Sequence, residues 1–285
     1  MDDINELVFT KMHGAGNDFI IIDLARYPPP TPNMCKALSN RHTGVGCDMI
    51  LGVYSSARPS ASIAFRIWCS DGRESSQCGN GARCVASWAL KEGIVSGSHF
   101  FIESPSGLHS VEVLHHGHLK ISMGIPKFNP SDIPLHGLSE EQNVYKFELN
   151  DQTTITCGVI SIGNPHAVIL VDDITTVNVE TLGKSLQQFE VFPPDINIGF
   201  AEIVSRNHIK LRVYEFGAGE TLACGSGACA AVAVLVKQDL LERSAEVTLS
   251  GGDLFVHWDC HSSELFLTGP VNYSFKGMIP YASLQ

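Results

Sequence analysis

The chain has 285 residues, of which 44% are hydrophobic and 17% charged, and its formal net charge is -11. This composition is typical of a folded globular protein, and the negative charge argues against nucleic acid or an anionic membrane as a partner. No apolar run approaches the ~20 residues of a membrane helix. The acidic first six residues do not resemble a secretory signal. Nine cysteines without a CxxC pair fit neither a disulfide framework nor a zinc ribbon, so we expect a reduced, cytoplasmic protein.

Short β-branched or aromatic segments, separated by Gly, Pro, Asn or Ser, predict that strands predominate. In chain order the predicted strands are Leu7–Lys11, Phe19–Leu24, Met49–Tyr54, Ala61–Trp68, His99–Glu103, Ser110–Leu114, His118–Ser122, Thr154–Ile160, Ala167–Val171, Ile198–Val204, Ile209–Tyr214, Glu246–Leu249, Leu254–Trp258 and Glu264–Thr268. Proline-rich Tyr27–Pro32 predicts a surface loop, and proline-rich Pro126–Ser139 predicts a linker between domains.

Two helices are predicted among these strands, at Ala82–Glu92 and at Ala228–Asp239. Both are rich in alanine and almost uncharged before their last turn, and a helix that is apolar on nearly all faces is a buried one. We therefore expect an α+β fold in which each domain is an antiparallel sheet curled around one central helix.

The two helices follow a repeated motif. Cys78-Gly-Asn-Gly-Ala82 and Cys224-Gly-Ser-Gly-Ala228 lie 146 positions apart, and 13 residues before each cysteine stand Phe65-Arg-Ile-Trp68 and Leu211-Arg-Val-Tyr214. A repeat of this length is too long for a solenoid and indicates a duplicated domain. We predict one domain at 1–124 plus 270–285, and a second at 125–269.

Each repeated cysteine is predicted to begin a buried helix, where unpaired N–H groups carry partial positive charge. That position favours a thiolate and can bind a carboxylate. Cys78 and Cys224 could therefore flank the Cα of an amino acid, one removing a proton while the other delivers one. Neither motif contains a lysine for a pyridoxal Schiff base, so we expect neither cofactor nor metal. The alternatives are a thiol hydrolase, which would leave one motif idle, and a silent amino-acid-binding protein.

Several motifs closely resemble those of diaminopimelate epimerases. Besides the two cysteine motifs they are Lys11-Met-His-Gly-Ala-Gly-Asn-Asp-Phe19, Arg41-His-Thr-Gly-Val-Gly46, Gly163-Asn-Pro-His166, Asn197-Ile-Gly-Phe200 and Gly217-Ala-Gly-Glu-Thr-Leu-Ala223. The resemblance implies two pseudo-symmetric domains, each a β-barrel around a central helix. It also implies cofactor-independent conversion of LL- to meso-diaminopimelate, for lysine and peptidoglycan. An amino acid is then the expected partner, and a homodimer is left open.

The resemblance also implies roles for individual residues. It makes Cys78 and Cys224 the acid/base pair and places His166 and Glu215 near them. The residues that it assigns to substrate binding are Asn17, Gly79, Asn80, Asn164, Asn197, Gly225 and Ser226.

Three positions depart from the family pattern. Phe216 replaces the arginine of Tyr-Glu-Arg-Gly, Cys69 replaces the asparagine of Asn-x-Asp-Gly, and Met49 replaces a glutamine. In the family that arginine and asparagine grip the far carboxylate and amine of diaminopimelate, a strong charge-assisted contact. Diaminopimelate remains the leading substrate, and the alternative is another α-amino acid with a less polar side chain.

Other residues have plain structural alternatives. Glu74 and Glu220 each stand four residues before a repeated cysteine, and capping and catalysis both remain open for them. The tract His115–His118 predicts a solvated turn rather than a metal site. Cys69 lines the pocket or is only a filler. The cysteines expected to be small core residues are Cys35, Cys47, Cys84, Cys157, Cys229 and Cys260.

Overall fold

The computed structural model describes residues 5–148 and 154–284. The chain divides into two compact units. The first runs to Ile121 and resumes at Pro270, and the second is Ser122–Gly269. Within the described residues, no helix is long and apolar enough to span a membrane.

Strands predominate, as the sequence predicts. They are β1 (Glu6–Gly14), β2 (Asn17–Asp23), β3 (Met49–Tyr54), β4 (Ile63–Cys69), β5 (Glu74–Ser75), β6 (His99–Ser104), β7 (Gly107–Val113), β8 (Leu119–Ser122), β9 (Tyr145–Glu148), β10 (Thr154–Ser161), β11 (Pro165–Leu170), β12 (Asn197–Ser205), β13 (His208–Glu215), β14 (Gly219–Thr221), β15 (Ser244–Leu249), β16 (Gly252–His257), β17 (Phe266–Gly269) and β18 (Asn272–Pro280). The α-helices are α1 (Pro32–Ser39), α2 (Gly79–Lys91), α3 (Val179–Gln187) and α4 (Gly225–Lys237).

The two units repeat one order of strand pairing. In the first, β18, β1 and β2 pair antiparallel in that order, β2 pairs parallel with β3, β3 antiparallel with β4, and β4 parallel with β6. In the second, β9, β10 and β11 pair antiparallel, β11 pairs parallel with β12, β12 antiparallel with β13, and β13 parallel with β15. The duplication seen in the sequence is therefore also a duplication of topology.

The expectation of purely antiparallel sheets is wrong. Parallel neighbours cannot be joined by a hairpin and need a crossover connection, usually helical. The helix α1 lies in the connection from β2 to β3, and α3 lies in the corresponding connection from β11 to β12. The helices α2 and α4 lie in the other two crossovers. The helices α1 and α3 were not predicted from the sequence, so the crossovers from β2 to β3 and from β11 to β12 were not apparent.

Both helices that follow the repeated cysteines are buried. Every residue of α4 from Gly225 to Leu235 is buried, and α2 exposes charge only at Lys91 in its last turn. Gly158 on β10 lets α4 lie close to the sheet, because a Cβ there would overlap the side chain of Val234. The helix positions are therefore fixed by apolar packing that begins immediately after each cysteine.

Three smaller expectations need correction. Pro126–Ser139 is not a free linker, because Ile133 and Leu135 are buried in the core of the second unit. The predicted loop Tyr27–Pro32 ends one residue early, since Thr31 caps α1 and Pro32 begins it. Cys260 is exposed rather than a core residue, as it lies in a turn after β16.

Candidate active site

Cys78 is the N-cap of α2. Its Sγ accepts a hydrogen bond from the backbone N–H of Gly81 at 3.3 Å, and the thiol is partly exposed. Gly79 and Asn80 form the buried first turn of this helix. Cys78 therefore lies at the N-terminus of a helix, as the sequence predicts, and one backbone N–H of the first turn donates to its sulfur.

A chain of side chains leads away from Cys78 in the first unit. The guanidinium of Arg83, fully buried one turn into α2, donates to Asn80 Oδ1 at 2.7 Å. Asn80 Nδ2 donates to Asn17 Oδ1 at 3.3 Å, and the Cys78 thiol lies 3.9 Å from the same oxygen. The structure thus brings together Asn17, Asn80 and Cys78, and adds Arg83, which sequence reasoning missed.

Cys224 occupies the equivalent N-cap of α4. Its Sγ accepts from the N–H of Gly227 at 3.3 Å and lies 3.5 Å from Ser226 Oγ. Burial raises the pKa of this thiol well above its ordinary value, and the neighbouring carboxylate of Glu215 raises it further, while the contacts with Ser226 and Gly227 oppose the shift. The expectation that the helix end favours a thiolate is therefore wrong for Cys224, because desolvation outweighs the backbone N–H bond.

His166 belongs to a buried hydrogen-bonded cluster beside Cys224. Its Nε2 lies 3.1 Å from both Asn164 Oδ1 and Ser226 Oγ, and Asn164 Nδ2 donates to Ser226 Oγ at 3.3 Å. Complete burial lowers the pKa of His166 to about 3. The imidazole is therefore neutral at physiological pH, so it contributes hydrogen bonds and no positive charge.

Asn197 connects two backbone segments of the second unit. Its Nδ2 donates to the carbonyl of Pro165 at 3.1 Å, and its Oδ1 accepts from the N–H of Phe216 at 3.0 Å. Both ends of this buried amide are engaged, so in this state Asn197 positions the backbone around Phe216. The Phe216 side chain itself is 44% exposed.

The other two substituted positions face each other in the first unit. Met49 on β3 pairs directly with Cys69 on β4, and both side chains are partly exposed. Directly opposed residues on antiparallel strands have neighbouring side chains. Two of the three departures from the family pattern are thus adjacent, and both are uncharged.

The two repeated glutamates form ion pairs. Arg66 pairs with Glu74, and Arg212 donates two bonds to Glu220 at 2.6 and 2.9 Å, in each case eight residues apart. Of the alternatives left open, capping and catalysis, neither describes these contacts, which join two adjacent strands in each unit. The arginine in each repeated strand motif, Arg66 and Arg212, was the sequence feature that could have predicted these ion pairs.

The tract His115–His118 begins with a short 3₁₀ turn, His115–Gly117. Among residues 5–148 and 154–284 there is no group of three His, Cys, Asp or Glu side chains placed to hold a metal ion.

Sequence comparison matches most of the chain to one family. The profile described as diaminopimelate epimerase matches residues 9–129 and 158–274. The O-ureido-serine racemase of Streptomyces lavendulae is 47% identical over 98% of this chain and 97% of its own length. The diaminopimelate epimerase of Xanthomonas campestris pv. campestris is 46% identical over 95% of each chain.

Two solved structures share the fold at low sequence identity. A probable proline racemase from Agrobacterium radiobacter K84 has a TM-score of 0.74 at 14% identity, covering 96% of this chain and 93% of its own. A hydroxyproline epimerase from Agrobacterium vitis has a TM-score of 0.74 at 14% identity, covering 99% and 94%.

Proposed function

Because this chain belongs to the diaminopimelate epimerase family and is an isomerase, we propose that it inverts the Cα of an amino acid with two cysteines and no cofactor. The observation that carries the proposal is the repeated sulfur geometry. Cys78 and Cys224 each cap a buried helix and each accept an N–H bond from the third residue after them at 3.3 Å.

The mechanism follows from the charge at these helix ends. The α-carboxylate of the substrate binds the N–H groups at the helix starts, where they also stabilise charge that develops on it during deprotonation. One cysteine, as thiolate, takes the α-proton, and the other, as thiol, gives a proton to the opposite face. The raised pKa of Cys224 keeps this thiol protonated. We therefore assign Cys224 as the acid and Cys78 as the base in a turnover that begins with Cys224 protonated. After each turnover the roles are exchanged.

We further propose that each epimerase domain, 1–124 with 270–285 and 125–269, closes its sheet as a barrel around its buried helix. A water-excluding surround of this kind would strengthen the electrostatic contacts at each sulfur. The burial of α4 along eleven consecutive residues supports this arrangement.

For the substrate we propose an α-amino acid whose side chain ends in an uncharged polar group. Phe216, Cys69 and Met49 stand where the family carries polar or cationic side chains, and a distal carboxylate without a guanidinium loses a strong bond. The relative from S. lavendulae is named for O-ureido-serine, whose ureido end is uncharged. That compound is therefore the first substrate to test.

LL-diaminopimelate is the second candidate. The family profile and the 46% identical relative from X. campestris favour it. If it is the substrate, the protein serves lysine biosynthesis, and other groups must replace the missing arginine.

The deciding experiment is exchange at Cα in deuterated water. The protein would be incubated with O-ureido-serine, LL-diaminopimelate and a panel of neutral, aromatic and acidic amino acids, and each would be analysed by mass spectrometry and chiral chromatography. We expect one deuterium per inverted centre, with the highest kcat/KM for an uncharged side chain. Efficient turnover of diaminopimelate alone would favour the second candidate, and absence of exchange from every amino acid would reject both.

A further inference from the structure

Asn17 carries a terminal amide whose orientation is set by a carboxylate. Asn17 Nδ2 donates to Asp48 Oδ2 at 2.7 Å. An ionised carboxylate only accepts hydrogen bonds, so the amide must turn its NH₂ toward Asp48. The carbonyl oxygen of Asn17 is thereby left facing Asn80 and the Cys78 thiol.

The opposite end of this chain of bonds is fixed by a group that only donates. Arg83 holds Asn80 Oδ1 at 2.7 Å, so Asn80 must turn its NH₂ toward Asn17. A guanidinium has no acceptor, and a carboxylate has no donor. The hydrogen bonds from Arg83 through Asn80 and Asn17 to Asp48 therefore all donate in the same direction. Both amides are held in a single orientation.

The carboxylate of Asp48 accepts hydrogen bonds from three donors, the amide of Asn17, the backbone of Asp18 and the guanidinium of Arg41. Arg41 donates to Asp48 Oδ1 at 2.7 Å and makes two bonds to Asp18 at 2.8 and 2.9 Å. Asp48 Oδ2 accepts the backbone N–H of Asp18 at 3.1 Å, and Asp18 Oδ1 accepts that of Asp48 at 2.9 Å. Although burial opposes it, hydrogen bonds from Arg41 and Lys11 lower the pKa of Asp18 to about 2. The carboxylate of Asp18 is therefore held ionised, and Arg41 joins it to the carboxylate of Asp48.

The second unit has no such cluster at the corresponding place. In the register of the sheets, Met49 lies opposite Phe19 and Asn197 lies opposite His166. The residue before Met49 is Asp48, whereas the residue before Asn197 is Ile196, which is fully buried. The amide of Asn164 instead contacts Ser226 and His166, which can both donate or accept. The one-way orientation is thus a property of the Cys78 half.

We propose that Asp48 is a positioning residue, which holds the carbonyl oxygen of Asn17 toward Cys78 and so makes that cysteine the stronger proton acceptor. The proposal rests on the proposed function for its catalytic meaning. A carbonyl oxygen beside Sγ can accept a hydrogen bond from the protonated thiol, whereas the thiolate has no proton to donate. The oxygen therefore favours the protonated form of Cys78. If the amide of Asn17 were reversed, its NH₂ would face the sulfur and favour the thiolate. The same NH₂ would also face the NH₂ of Asn80, so two donors would meet without an acceptor.

The proposal predicts two effects of opposite sign in Asp48→Ala. With the thiolate favoured, alkylation of Cys78 by iodoacetamide at pH 7 should be faster by about fivefold. At high pH, where Cys78 is ionised in both proteins, the variant's thiolate is the weaker base and should remove the α-proton more slowly, so the limiting kcat should fall by about twofold, and by no more than about fivefold, with a smaller change in KM. A merely structural role would not raise the reactivity of one sulfur while lowering turnover.

The experiment is pulsed alkylation of the full chain followed by peptide mass mapping, with thermal unfolding measured alongside. Buried Cys224 is the internal control for loosening of the structure. Glu112→Ala is the matched variant, because Glu112 is 37% exposed and paired with Lys120, as Asp48 is 39% exposed and paired with Arg41. We expect Glu112→Ala to leave both thiols and turnover unchanged.

Two results would overturn the proposal. One is an Asp48→Ala variant whose Cys78 reacts at the wild-type rate, and the other is equal acceleration of Cys78 and Cys224 with a lower Tm. If Asp48→Ala does not fold, Asp48→Asn keeps the volume and still places an NH₂ among three donors, so a smaller change in the same direction is expected. Alkylation needs no substrate, so it decides the positioning role even if no amino acid is racemised.

Discussion

Glu215 is hydrogen-bonded to Cys224, and burial together with this carboxylate keeps the thiol protonated. The carboxylate is itself held by the hydroxyl of Thr221, which donates to Glu215 Oε1. A carboxylate beside a thiol disfavours the thiolate by charge repulsion, and a buried setting strengthens that effect. In the proposed mechanism Cys224 therefore acts as the proton donor, and its protonation depends on a neighbour nine positions earlier in the chain.

Glu215→Gln should make Cys224 more reactive. Removing the negative charge lowers the pKa of the thiol, but burial, the larger cause, remains. Iodoacetamide at pH 8 should therefore alkylate Cys224 faster than in wild type, yet still more slowly than exposed Cys260. Glu220→Gln removes an equal charge from an ion pair with Arg212 and serves as control. An unchanged Cys224 rate in Glu215→Gln would show that burial alone sets its state.

Cys78→Ala and Cys224→Ala should each abolish racemisation. In the proposed mechanism each thiol serves one face of Cα, so either loss should lower kcat by ~10³-fold or more. Cys→Ser variants should retain some deuterium exchange on the face of the remaining thiol. Cys260→Ala, which removes an exposed cysteine, should have wild-type activity. Full racemase activity in either catalytic variant would reject the two-cysteine mechanism.

Phe216→Arg combined with Cys69→Asn should shift specificity toward diaminopimelate. A regained charge-assisted contact contributes roughly 1.5–3 kcal/mol, about one to two decades in relative kcat/KM. The two changes should be made together, because side chains that hold one ligand end need not act additively.

The comparison is kcat/KM for diaminopimelate and for uncharged amino acids in wild type and in the double variant. Leu170→Arg adds the same charge at a side chain 47% exposed elsewhere in the second unit and should change nothing. Efficient, exclusive use of diaminopimelate by the wild type would show that the substitutions are compensated.

His166 should make stability fall in mild acid. Its pKa is about 3 in the folded protein against an ordinary value of 6.5. Between these values the unfolded chain binds a proton that the folded chain does not, so unfolding becomes more favourable as pH falls from about 6.5, by up to about 1.4 kcal/mol per pH unit. Above pH 6.5 the group contributes no slope.

Urea unfolding at pH 7 and pH 5 measures this effect. His166→Gln should lose the part of the slope that His166 supplies, whereas replacement of exposed His99 by Gln should keep it. Equal pH slopes in wild type and His166→Gln would contradict a neutral, buried imidazole.

The two repeated ion pairs should differ in their contribution to stability. Arg212 also donates to the carbonyls of Ile174 and Val177, at 3.0 Å each, and is 26% exposed. Arg212→Met leaves these carbonyls without their donor, so it should lower the free energy of unfolding by about 2–3 kcal/mol. Arg66→Met removes a more exposed pair with Glu74 and should cost about 1 kcal/mol or less. If urea titrations showed that both variants lose the same free energy of unfolding, the larger contribution expected of Arg212 would be contradicted.

The sequence determined the features that depend on local pattern. The long apolar runs after each cysteine were sufficient to predict two buried helices, because an apolar face is encoded within a few turns. They were predicted from Ala82 and Ala228, and the structure begins them three residues earlier, at Gly79 and Gly225. The spacing of 146 residues indicated a duplication, which the strand pairing repeats. The family motifs identified the class of reaction.

Only the tertiary structure decided what depends on distant parts of the chain. The parallel pairing of β2 with β3 needs a crossover that no local pattern specifies. The helix end alone predicts a thiolate at Cys224, but desolvation, which depends on everything packed around the sulfur, reverses that expectation. Asp48 and Asn17 are 31 residues apart and meet only because β2 and β3 are neighbours. Charge state and hydrogen-bond direction therefore follow from packing, whereas the identity and placement of the sulfurs follow from the sequence.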